Sequence, residues 1–234
     1  MILRDKPGTL QLLFAVRGSV LPQILPRIVG VTVISVLMVA VDRHVVTLTH
    51  TSTAPFAVFG IALSLFLGFR NNAAYDRWWE ARKLWGQLVA DLRALAREMT
   101  LFTDDAARRD RMLRLALAFI HLHRAQLRKL GPSKAAQMWS DDDFSQAAHP
   151  PCAALDRITE EIAAGHKAGR IDGFGLKALS ERMGQIALAQ AGCERIAATP
   201  LPYVYSLLVF RTTYLYCLLV PLALLDVAGW MMPA

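Results

Sequence analysis

The sequence has only three cysteines, Cys152, Cys193 and Cys217, with no Cys-x-x-C pair among them. An odd, scattered set excludes a disulfide framework and a zinc knuckle. Each cysteine reads instead as a small buried apolar residue. Strand-like alternation of useful length is missing, and so is any internal repeat. The segment GRIDGFG has neither a preceding strand nor Gly-x-Gly-x-x-Gly spacing, so it is not a phosphate-binding loop. His121 and His123 stand two apart and do not share a helix face, which excludes a metal pair. Glu160, Glu161 and Glu181 form no designed acid pair, and no nucleophile lies in a pattern with a base. An enzyme is not expected, nor is a metal or cofactor. Positions 1–20 mix charge with short apolar pieces and lack a small-residue cleavage site, unlike a secretory leader.

What is abundant is apolar surface. Hydrophobic residues make up 54% of the chain and charged residues 19%. That mixture indicates membrane segments joined to a water-facing part. The formal net charge is +7, but bases alternate with acids, as in ARRDRMLRL. This is the pattern of a solvated helix face, and it excludes nucleic acid as the partner.

Three apolar runs stand out: Ile24–Val46, Ala54–Phe69 and Tyr203–Val227, the last interrupted by Arg211 and Pro221. A spanning helix needs about 20 apolar residues, so the second run is short. The intervening region, 70–199, reads as helices. Met112, Leu115, Phe119, Leu122 and Gln126 trace one face of a helix, and Leu113, Leu117 and Ile120 a second. Thr103-Asp104-Asp105 offers its N-cap and Gly131-Pro132 its end. WSDDDFSQAAHPP reads as a loop. Helices are expected over LDRITEEIAAGHKAG and over GLKALSERMGQIALAQAGCERIA. Asp141, Asp142 and Asp143 read as solvated loop acids. Arg211 requires a partner, for which Asp76 or Glu80 on the long helix is expected.

Bases flank the first two runs on one side: Arg4, Lys6, Arg17 and Arg27 before, Arg70, Arg77, Arg82 and Lys83 after. The positive-inside tendency places both flanks in the cytoplasm. The expected division is a cytosolic or interfacial segment (1–23), two membrane helices (24–69), a cytosolic helical region (70–199) and a third membrane helix with the C-terminus (200–234). The expected location is a bacterial inner membrane.

The stretch GIALSLFLGFRNNAAYDRWWEARKLWGQLV turns from apolar to charged without a proline. One helix over 54–103, about 75 Å long, would start in lipid and continue into water. Trp78, Trp79 and Trp85 then serve as interface anchors or as core of the water-facing part. Gly60, Ser64 and Gly68 form a small-residue stripe that permits close helix packing. Ile61, Leu65 and Phe69 form a bulky apolar stripe beside it. In a symmetric ring this second stripe lines a narrow axis, which can gate ions by dewetting. Asn71 and Asn72 follow, placed to rehydrate an emerging ion. Lipid-facing or core packing is the alternative role for the same stripe.

FLGFRNNAAYDRWWEARKLWGQLV resembles the signature helix of the bestrophin family, particularly its bacterial members. FAVRGSVLPQILPRI and CERIAATPLPYVYSLLVFRTTYLYCLLVPLAL resemble the family's first and third membrane segments. The resemblance implies an all-α fold: membrane helices continuing into a cytosolic helical bundle, assembled as a homopentamer around a central pore. It implies a neck at Ile61, Leu65 and Phe69 and a cytosolic aperture at Leu179. It implies passage of monovalent cations such as sodium. An anion (chloride) channel and a non-conducting membrane scaffold are the alternatives. Membrane lipid and permeant ions are the expected partners besides further copies of the chain. Family members continue past LLDVAGW into a fourth membrane helix and an acidic segment. This sequence stops at Ala234, so no calcium site is carried over.

Overall fold

The structure, a computed structural model, describes residues 19–45, 52–131 and 134–228, with side chains to residue 225. The expectations for residues 1–18, for Val46, for Pro132 and for residues 229–234 lie outside the described residues.

The described residues form helices and no strand. In chain order these are α1 (Leu21–His44), α2 (Ala54–Phe102), α3 (Ala106–Leu127), α4 (Lys134–Gln137), α5 (Pro150–Lys167), α6 (Gly173–Ala198) and α7 (Tyr203–Ala228). Apart from Pro55 in its first turn, α2 has no proline, so nothing removes a rung from its hydrogen-bond ladder over 49 residues. Asp105 caps α3 by accepting the Arg108 N–H at 3.0 Å. The stop of α3 comes earlier than Gly131-Pro132: the helix ends at Leu127, and Lys129 takes a positive φ of 53°. His149 and Asp172 cap α5 and α6 in the same manner as Asp105. Each cap satisfies an N–H that the helix itself leaves open.

The chain divides into two compact units. One comprises residues 1–71 and 202–234, the other residues 72–201. In the first, α1, the apolar part of α2 and α7 are each long and apolar enough to cross a membrane. In the second, the α2 residues Leu88, Leu95 and Met99 meet Met112, Leu115 and Phe119 of α3, Ile158 of α5, and Leu179 and Ile186 of α6. Each such side chain contributes about 1.5–3 kcal/mol by leaving water. Of the two apolar faces read on α3, the Met112–Leu115–Phe119–Leu122 face is the core. Leu113 and Ile120 pack at its margin, and Leu117 is exposed.

Ion pairs tie the second unit's helices together. Arg182 of α6 reaches Asp91 at 2.7 Å and Glu98 at 2.8 Å, both on α2. Glu161 of α5 receives Arg108 and Arg111 of α3, each at 2.8 Å. Arg77 of α2 donates to the Ile196 and Thr199 carbonyls, satisfying the open C-terminal end of α6.

Candidate functional site

Within the first unit, one side of α2 is committed to α7. The Phe59 ring meets Tyr216 edge-on, with centroids 5.5 Å apart. Gly60 faces the same tyrosine so closely that an added Cβ would lie 2.5 Å from its hydroxyl. The Phe66 carbonyl accepts the Tyr205 hydroxyl at 3.3 Å, and Leu63 is buried.

Among the described residues, the other side of α2 has no such partner. Ile61, Leu65 and Phe69 are 68%, 59% and 57% exposed. At about 100° per residue, their stripe lies roughly 150° round the helix from the side that holds Phe59 and Leu63. One protomer therefore seats α2 by one face and leaves a ladder of three large apolar groups open on the opposite face.

The small-residue stripe is divided. Gly60 makes its close approach to Tyr216 of its own chain. A Cβ added to Gly68 would meet nothing within 4 Å, so its face is open. The Ser64 hydroxyl donates back to the Ile61 carbonyl at 2.8 Å. The three residues thus do not act as one packing stripe within the protomer. Asn71 and Asn72 are exposed, and the two units divide between them.

Leu179 does not stand where the resemblance puts it. It is 0% exposed, inside the second unit's core on the same face of α6 as Ile186, Gln190 and Cys193. No part of it is open to a lumen. The i, i+7, i+11, i+14 spacing of those four residues is a core-face signal already present in the sequence. On the same helix, Phe174 is 82% exposed.

Several other expectations resolve into structure. Glu80 pairs with Arg195 at 2.6 Å rather than with Arg211. Asp142 accepts from Ser140 at 3.0 Å and meets Arg111 at 3.5 Å. Asp143 accepts the Ser145 N–H at 2.8 Å, a bond that holds its carboxyl below the usual range. These acids shape a turn. Trp78 and Trp79 are exposed and lie ring against ring, 5.9 Å between centroids, whereas Trp85 packs on the core. Among the described residues, no cluster of His, Cys, Asp or Glu suits a metal ion.

A family model described as bacterial/fungal bestrophin protein matches residues 1–234. The chain belongs to the bestrophin family. This bestrophin is 46% identical over 237 residues to a voltage-dependent anion channel-forming protein of Mesorhizobium japonicum, covering 100% of this chain and 77% of that one. The protein of the same description from Escherichia coli K12 is 36% identical over 238 residues, covering 100% and 78%. Two crystal structures of variants of a bacterial bestrophin homologue from Klebsiella pneumoniae align with it. One has a TM-score of 0.85 at 30% identity, covering 90% of this chain and 81% of that one. The other has a TM-score of 0.83 at 30% identity, covering 92% and 81%. The all-helical bestrophin fold is thereby shown, and the protein is a channel-family member, not an enzyme.

Proposed function

We propose that this bestrophin is a multi-pass ion channel of the bacterial inner membrane that passes monovalent anions such as chloride. Copies of the chain, five by the family resemblance, surround one axis and turn Ile61, Leu65 and Phe69 towards it. The observation that carries this reading is the exposure of that ladder opposite the face that seats α2 on α7. Greasy groups so placed meet either lipid or each other. A ring of them makes a constriction whose wetting controls flow. Residues 24–69 and 200–234 supply the membrane helices, residues 70–199 the cytosolic conduit, and residues 1–23 a cytosolic or interfacial segment.

The sign of the ion departs from the sodium expectation. An apolar neck has no preference of its own between charges. Both relatives above are named as anion channel-forming proteins, which supports the anion. So does the net positive charge that follows the neck on α2, where Arg70, Arg77, Arg82 and Lys83 outnumber Asp76 and Glu80. Cationic groups raise the local concentration of anions. Asn71 and Asn72 offer amide groups at the neck's exit. For the second constriction, Phe174 replaces Leu179. It is large, apolar, exposed and on the same helix, at the end remote in sequence from the third span.

Planar-bilayer recording of the purified oligomer in asymmetric potassium chloride tests the proposal. Reversal near the chloride equilibrium potential supports it, and reversal near that of potassium overturns the anion assignment. No current, with a monomer or dimer by native mass spectrometry, favours the scaffold.

A further inference from the structure

The second unit buries one imidazole whose two ring nitrogens have no hydrogen-bond partner among the described residues. His123 of α3 is 0% exposed, and both Nδ1 and Nε2 are unsatisfied. Its ring runs nearly parallel to those of Trp85 of α2 (centroids 6.0 Å apart, planes 9° from parallel) and Phe119 of α3 (5.7 Å, 10°). That slot suits a neutral ring. It does not suit an imidazolium, which would lose its water without gaining a bonded counter-ion.

The nearest charge is already shared. Glu194 Oε1 of α6 lies 3.8 Å from His123 Nδ1, too far for a hydrogen bond. The same oxygen accepts Gln190 Nε2 at 2.8 Å and stands 3.3 Å from His149 Nε2. His149 is also the N-cap of α5: its Nδ1 accepts the Cys152 N–H at 3.3 Å. His149 Nε2 also meets the Gln126 amide nitrogen at 2.5 Å, closer than Glu194. Two imidazoles, one on α3 and one capping α5, therefore stand near one carboxylate oxygen of α6. Two thiols lie nearby: Cys193 beside Glu194, and Cys152, whose Sγ lies 3.3 Å from Gln190 Nε2. Burial pushes the Cys193 thiol up, so it stays neutral. On α2 the ring stacks on Trp85, which does not titrate.

We propose that His123, His149 and Glu194 form a proton sensor in which protonated His123 leaves the Trp85–Phe119 slot for Glu194 and displaces His149. Trp85 then loses its stacking partner, and the seat of α2 on α3 loosens. The direction follows from burial, which lowers the His123 pKa from its ordinary 6.5, with Glu194 opposing and His149 reinforcing. The opened state takes up a proton more readily than the closed one. The closed arrangement is fully stable above about pH 6.5 and loses stability as pH falls through that value. Trp85 shares α2 with the proposed neck, so acid acts on the helix that carries Phe69.

Tryptophan emission of the purified full-length protein in detergent, titrated from about pH 8 to about pH 5, tests this directly. Departure of the imidazole changes the surroundings of the Trp85 indole and so its emission. The expected result is a reversible change in emission with its midpoint below 6.5, lost in Trp85→Phe and in His123→Phe. The second variant keeps a flat ring in the slot but cannot take a proton. Glu194→Gln, which removes the acceptor, is expected to shift the midpoint to lower pH. A wild-type titration with no transition overturns the proposal, as does one that survives unchanged in His123→Phe. Should His123→Phe fail to fold, the Glu194→Gln midpoint decides: no shift overturns the sensor. A second readout rests on the channel reading: bilayer current falls on cytosolic acidification in wild type and not in His123→Phe. Absence of current at neutral pH counts against the channel alone, and the emission titration then judges the sensor.

Discussion

The Tyr216 hydroxyl stands 2.5 Å from the point a Cβ would occupy on Gly60, so α2 and α7 meet where only glycine fits. Helix propensity alone favours Gly60→Ala by about 1 kcal/mol. Overpacking opposes it by about 1–3 kcal/mol, and the rigid tyrosine ring has little freedom to yield. The melting temperature of Gly60→Ala in detergent is therefore expected to fall. Adding Tyr216→Phe, which removes the clashing oxygen and leaves a ring carbon at 3.1 Å, is expected to recover part of the loss. The Cβ of Gly68→Leu meets nothing within 4 Å among the described residues of its own protomer. The variant is expected to leave protomer folding intact and to weaken assembly, read by native mass spectrometry.

Asp91 is buried and holds both Arg182, at 2.7 Å, and the Gln87 amide, at 3.0 Å. Asp91→Ala leaves Arg182 with Glu98 alone and frees the exposed Gln87 amide to water. Loss of a hydrogen bond to a charged group costs about 1.5–3 kcal/mol. Thermal denaturation of Asp91→Ala is expected to show that loss. Lys177→Ala serves as the comparison, because its pair with Glu181 is long (3.9 Å) and exposed on both sides. That variant is expected to be near neutral.

Leu179 and Phe174 separate packing from permeation. Leu179→Ala leaves a cavity in the core and is expected to cost about 2–5 kcal/mol, with no gain in current from the molecules that fold. Phe174→Ala removes an exposed ring. Its stability is expected to hold while unitary current rises. A melting temperature for Leu179→Ala equal to wild type would return Leu179 to an open position.

Asp105 gives an acid limb to stability. The Arg108 N–H, donating to its carboxylate, lowers its pKa from 3.8. A lowered folded value means the stabilisation is complete above 3.8 and disappears as pH falls through the depressed value. Asp105→Asn keeps a capping oxygen and is expected to flatten that limb at little cost near neutrality. Asp105→Ala is expected to lower stability there, because it removes the cap. Denaturation midpoints collected at successive pH values make the comparison.

The long helix is legible in the sequence because its two halves share one unbroken period and lack a proline to stop it. The cap at Asp105 and the core face of α3 are legible for the same local reason. What periodicity cannot reveal is which distant group meets a given face. Glu194 and His123 lie far apart in sequence, and only the packing of α6 on α3 brings them within 3.8 Å. Arg77 reaches carbonyls more than a hundred positions away, which no local pattern marks. The resemblance puts an aperture at Leu179, whose own helical spacing points to the core. The stripe of Ile61, Leu65 and Phe69 is visible as a stripe. That it lies opposite the α7 contact requires Tyr216, Tyr205 and their partners on α2.

Single-channel current through Phe69→Ala in planar bilayers tests the central claim most directly. If these three side chains ring a shared axis, removing the phenyl group widens the narrowest part and unitary conductance rises above wild type. Conductance equal to wild type in an intact oligomer would contradict the account and place the ladder against lipid.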